Sequence, residues 1–167
     1  MIICAGLMTT NTNIQVCIKP RCIVLIKSER PWVHHIIRKM SVAYEVTDVY
    51  ALPIIKERGY SGLTKHLSNM IRKYGARVIF YAVDYFYGVD YQFIKNVTNS
   101  VPSVLLTFDD LTLHPFNSIT AGACDLVLTA DPISVLKYRE KHIPSEFLPL
   151  EASSEIYYDR RQKRTID

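Results

Sequence analysis

Apolar residues along this chain fall into short continuous runs separated by stretches of helical spacing. Arg21–Lys27 (RCIVLIK) is apolar and β-branched between Pro20 and Ser28, and Arg77–Val83 (RVIFYAV) is apolar after its arginine. Ser103–Phe108 (SVLLTF) and Asp125–Thr129 (DLVLT) have the same character. A strand with no polar face must be covered on both sides, which is the condition of a central strand in a parallel sheet. Ala43–Tyr50 (AYEVTDVY) alternates and reads as a half-buried strand. Glu146–Leu150 carries Pro149, which lacks the donor an interior strand needs, so that strand belongs at an edge. Ile14–Ile18 reads as an earlier edge strand.

Helices fill the intervals. Pro31–Met40 has a proline in its first turn and Ser28 as a cap. Leu63–Tyr74 places Leu63, Leu67, Met70, Ile71 and Tyr74 on one stripe and ends at Gly75. Tyr91–Asn99, Pro115–Gly122 and Pro132–Lys141 complete the set. Strands alternating with helices at this spacing require right-handed crossovers, hence an α/β domain built on an open, mostly parallel sheet. Its expected core comprises Ile23, Leu25, Val78, Phe80, Leu105, Leu106, Leu126 and Leu128.

Composition narrows the class. The 167 residues suit one domain, and 49% hydrophobic with 22% charged residues is ordinary globular usage. Much of the formal +4 sits in Arg160, Arg161, Lys163 and Arg164, a solvated basic linker rather than the aromatic-interleaved stripe of a nucleic-acid binder. Met1–Leu7 is too short for a membrane span, which needs about 20 apolar residues, and no positive charge precedes it as in a signal peptide. Cys4, Cys17, Cys22 and Cys124 form no CxxC pair, and they read as reduced thiols of a cytoplasmic protein.

In a parallel sheet, ligands gather beyond the carboxyl ends of the strands. The first such loop, Ser28-Glu29-Arg30, has no glycine to let backbone approach a pyrophosphate, which excludes the dinucleotide fingerprint. The third strand is followed by Asp84, Tyr85, Phe86, Tyr87 and Gly88. That carboxylate and its rings suit sugar hydroxyls and sugar faces, or else a turn cap with packed aromatics. Asp109 and Asp110 follow the fourth strand: paired carboxylates there read as a substrate-orienting or base pair, or as a helix cap. His114 beside them is a loop imidazole able to relay a proton, or a surface histidine. His34 and His35 are adjacent on a helix and diverge, and the chain holds no DxD, HExxH or P-loop. No metal or cofactor site is legible.

The second half carries an ordered pattern: Asp109-Asp110, Asn117, Cys124 to Asp131 (CDLVLTAD), Val135 to Tyr138, Phe147 to Leu150 (FLPL) and Glu155 to Tyr158 (EIYY). It resembles the N-terminal domain of CgeB-like (spore-maturation-protein-like) glycosyltransferases. The likeness covers about 60 residues closely and the rest by architecture. Leu111 stands where that family usually has proline. The resemblance implies one half of a GT-B architecture: a three-layer Rossmann-like acceptor-side domain over residues 1–158, then a linker over 159–167 toward an absent C-terminal domain. It further implies metal-independent transfer from a nucleotide sugar to an acceptor. Asp109, Asp110 and His114 would be the catalytic candidates, and Asp84, Tyr85, Tyr87, Asn117 and Asp131 would touch substrate. The alternative is a non-catalytic flavodoxin-like module binding a small ligand or a partner; a phosphoacceptor receiver is disfavoured because the paired aspartates follow the wrong strand.

Overall fold

A computed structural model describes residues 18–27, 31–82, 91–108 and 110–149. The elements are β1 (Arg21–Ile26), α1 (Pro31–Met40), β2 (Glu45–Tyr50), α2 (Ala51–Tyr74), β3 (Val78–Ala82) and α3 (Tyr91–Thr98). After them come β4 (Ser103–Thr107), α4 (Asp110–Ala121), β5 (Leu126–Thr129), α5 (Pro132–Glu140) and β6 (Ser145–Phe147). The six strands form one sheet in the order β2-β1-β3-β4-β5-β6, and all five pairings are parallel. This is the three-layer, Rossmann-like α/β fold that the apolar runs require.

Strand order decides which face each helix covers. From β1 the chain steps outward to β2, then returns past β1 and moves steadily the other way through β3 to β6. With right-handed crossovers, α1 lies on one face and α2 to α5 on the other. The two buried clusters match this division. Ile23, Leu25, Ile79, Tyr81, Leu105 and Val127 pack with Leu63, Leu67, Phe93, Val97, Ala121 and Tyr138. Cys22, Val24, Ile26, Phe80, Ala82 and Leu106 pack with Ile36, Ile37 and Met40 of α1. Successive side chains of a strand point to opposite faces, so β1 has to be apolar at both sets of positions.

Of the expected core, Ile23, Leu25, Phe80, Leu105 and Leu106 are buried, while Val78, Leu126 and Leu128 are half-buried. In β5 the enclosed side chains are Val127, which packs in the cluster facing α4 and α5, and Thr129, while Leu126 and Leu128 point to the layer that α1 covers only in part. Cys22 and Cys124 are free and buried, and burial pushes both thiols up to about 12.

Two helices differ from the periodic reading. α2 starts at Ala51 rather than Leu63, because two helical stretches meet at Gly59, whose φ of 66° and ψ of −175° only glycine adopts readily. At its other end Gly75 takes φ 63° and its amide donates to the Ile71 carbonyl at 2.9 Å, the left-handed stop that the sequence predicts. α4 starts at Asp110 rather than Pro115. Pro115 cannot donate to the Leu111 carbonyl four residues back, but both residues lie on the exposed side of α4, where water can meet that carbonyl. Of the expected early strand Ile14–Ile18, only Ile18 lies within the described residues, and it joins no strand. β6 ends at Phe147, so Pro149 follows the edge strand instead of interrupting it.

Candidate functional site

At the carboxyl ends of β4 and β5, Thr107 and Thr129 sit side by side in the register, both fully buried. Each organises the start of the helix that follows it. The Thr107 hydroxyl donates to Asp110 Oδ2 in the first turn of α4. Thr129 Oγ1 accepts from the Asp131 amide at 3.1 Å, and Asp131 caps α5. A carboxylate in the first turn of a helix also meets the positive end of the backbone dipole.

Asp110 is the centre of this edge. It is completely enclosed, and its other oxygen, Oδ1, accepts from Asn117 Nδ2 at 2.7 Å and from the Tyr138 hydroxyl at 3.0 Å. A buried carboxylate is tolerable when charge-assisted hydrogen bonds replace its lost hydration, and here three donors do so. Asn117 is about two turns along the same buried stripe of α4, while Tyr138 reaches over from α5. The network therefore ties β4, α4 and α5 together. Burial, followed by the charge of Asp110 and the hydrogen bond to it, raises the pKa of the Tyr138 phenol, so that phenol remains a donor.

His114 lies one turn beyond Asp110 on α4 and is only 8% exposed. Its ring packs on Tyr138 with centroids 4.6 Å apart and planes inclined by 42°. Among the described residues neither ring nitrogen meets a hydrogen-bond partner. Burial lowers its pKa; Asp110 and Asp131 oppose that shift, and Lys141 and Lys137 reinforce it. The imidazole is held neutral, because a proton there would bring a charge into an enclosed site.

Asp131 accepts from the Ile133 and Ser134 amides, each at 3.1 Å, and from the Ser134 hydroxyl at 2.7 Å. That hydroxyl, followed by the amides, holds its carboxyl below the usual range. The N-cap followed by a proline at the first helical position is a complete local start signal.

The structure therefore brings Asp110, His114 and Asn117 together on one face of α4, with Tyr138 as the fourth member, and places Asp131 at the same edge of the sheet. It also gives the surroundings of each. Asp110 and Asn117 are turned inward and occupied by each other, His114 is a buried helical residue rather than a loop imidazole, and Asp131 is committed to its helix. Asp109, Asp84, Tyr85 and Tyr87 lie outside the described residues, as do the loops after β1 and β3 that flank the point where the strand order reverses. Thr107, Thr129 and Tyr138 are members of the network that were not expected as site residues, although Thr129 and Tyr138 stand in the ordered pattern of the second half. Their signal is a threonine ending each strand two or three residues before an aspartate, but the Tyr138 contact spans 28 residues and has no local signature.

Among the described residues no group of three or more His, Cys, Asp or Glu is placed to hold a metal, and no helix is long and apolar enough to cross a membrane. Comparison with known proteins finds no matching family model and no matching curated protein.

Proposed function

We propose that this domain is the acceptor-side half of a two-domain, GT-B glycosyltransferase, transferring a sugar from a nucleotide-sugar donor held mainly by a C-terminal domain. One observation carries the reading. Asp110, Asn117 and Tyr138, picked out by order along the chain in the resemblance, converge in space as a single hydrogen-bonded network, and Asp131 caps the neighbouring helix at the same sheet edge. Motif residues that converge in this way support a shared architecture more strongly than their spacing alone.

In this reading the network is the rigid support of the site. It fixes the start of α4 immediately after Asp109, which is then the carboxylate left to orient or deprotonate the acceptor hydroxyl, since both oxygens of Asp110 are occupied. Asp84, Tyr85 and Tyr87 would meet sugar hydroxyls and faces from the loop after β3. Closure of the second domain would exclude water and hold donor and acceptor in near-attack geometry, an effect able to supply about 7–11 kcal/mol of barrier reduction. The site would work in the cytoplasm and without a metal ion.

The test is a transfer and donor-hydrolysis assay over a panel of nucleotide sugars, on this chain and on one extended through the following domain. Transfer by the extended protein, little by the 167-residue chain, and loss of activity in the extended Asp109→Asn variant are expected. Robust turnover by the short chain would refute the half-enzyme reading. Silence from both forms would favour the second reading, a flavodoxin-like binding module, which the strand order 2-1-3-4-5 within this sheet also suits.

A further inference from the structure

The face of the sheet that carries α1 is only partly covered. Every crossover after β2 runs over the opposite face, so among the described elements α1 alone lies on this side, over β1 and its neighbours. Between α1 and strands β3 to β5 an apolar groove of about 490 Å³ remains, floored by Phe80, Leu106 and Leu128, one side chain from each strand. An all-parallel sheet has both faces covered as a rule, and among the described elements that cover is missing here.

The chain itself begins to supply it. After β6 the Leu148 amide donates to the Thr129 carbonyl at 2.8 Å, which fixes the backbone at the end of β5. The Leu148 side chain packs against the cluster that contains Phe80 and Leu106, and Leu148 and Pro149 both line the groove. The described residues therefore stop in the groove wall, and residues 150–167 follow from there. Ile18, where the described residues begin, is exposed and is not among those that line the groove.

The residues that follow suit the place. Glu151 to Glu155 (EASSE) is polar, and Ile156, Tyr157 and Tyr158 then form an apolar run ahead of the basic residues Arg160 to Arg164. Consecutive large apolar side chains are unfavourable in water and seek cover. Residues 150–155 can extend to about 20 Å, which exceeds the three strand spacings of about 15 Å in all from β6 back to β3. A short tether at the groove wall also gives the run an effective concentration of about millimolar order, an advantage that a free partner lacks.

We infer that the groove between α1 and β3–β5 receives the chain's own segment Glu155–Tyr158, which completes the cover of the second face of the sheet. The docking does not depend on the transferase reading; if that reading holds, the anchor sets where the linker over 159–167 leaves the domain.

Photocrosslinking in the full chain tests this. p-Benzoylphenylalanine replaces Tyr157, one aromatic for another, and the adducts formed on irradiation are mapped by peptide mass spectrometry. Intrachain adducts to Met40, Phe80, Leu106 or Leu128 are expected, in a yield that stays constant over a tenfold range of protein concentration. Attachment to Leu148 or Pro149 does not count, because those residues are close in the chain. Leu128 is half-buried, so Leu128→Lys should keep a native circular-dichroism spectrum, and it should lower the yield at the other three positions at least fivefold. Absence of those adducts from the unsubstituted groove overturns the proposal, whether or not Leu128→Lys folds. So does an unchanged yield in a folded Leu128→Lys protein. Adducts between chains that rise with concentration overturn it too and assign the groove to a second copy. No transfer is measured, so a failure here rejects the docking alone, whereas a silent transfer assay with the adducts present rejects the enzyme reading alone.

Discussion

Replacing Asp110 by alanine removes the acceptor of three buried donors at once: the hydroxyls of Thr107 and Tyr138 and the amide of Asn117. Leaving a buried polar group unsatisfied costs about 1–3 kcal/mol. The three share one cavity and can in part rearrange around a trapped water, so the sum is not additive, and a loss of about 3–5 kcal/mol is expected. Asp110→Asn separates shape from charge. Its amide oxygen can still accept from Asn117 and Tyr138, while its NH2 group can donate to the Thr107 oxygen, so only the charge assistance is lost, about 1–2 kcal/mol. Urea unfolding followed by far-ultraviolet circular dichroism gives both values directly if the slopes agree. Melting would report about 6–20 °C for the alanine variant, since a chain of this length shifts by about 2–4 °C per kcal/mol. If alanine costs under 1 kcal/mol, or asparagine costs as much as alanine, then the network is not what fixes α4 to β4 and α5.

Two further outcomes follow from the same geometry. His114 has a lowered pKa in the folded state, so the unfolded chain takes up a proton near the ordinary value of about 6.5 before the native imidazole does. Stability from this site is complete above that pH and is lost as pH falls through the native pKa. His114→Gln should flatten the difference between urea curves at pH 7.5 and pH 5, and an unaltered difference would reject the claim. Gly59→Ala should destabilise by about 1–3 kcal/mol through backbone conformation alone, because the added methyl meets nothing within 4 Å. A thermal shift no larger than that of an exposed alanine substitution in α2 would show that the kink straightens at little cost.

The apolar runs determined the fold class by themselves. A strand such as Cys22 to Ile26 with no polar position has to be covered on both faces, and alternation with helices leaves a parallel sheet as the economical arrangement. Local signals also sufficed for Gly75 as a helix stop, and for Pro132 after Asp131 as a helix start. Sequence could equally point to Asp110 and Asn117 as notable, but it could not say whether they face a substrate or each other. That was decided by Tyr138, 28 residues further on, whose hydroxyl meets Asp110 only because β5 returns α5 to the side of α4. The start of α4 was likewise settled by packing: Pro115 reads as a helix start in isolation, and burial of Asp110 and His114 extends the helix ahead of it, whereas in α2 a second helical stretch precedes the kink at Gly59. The groove beside α1 is the clearest tertiary product. Periodicity shows which residues seek cover, but the face on which each crossover passes depends on strand order, and strand order is set by how the whole chain packs.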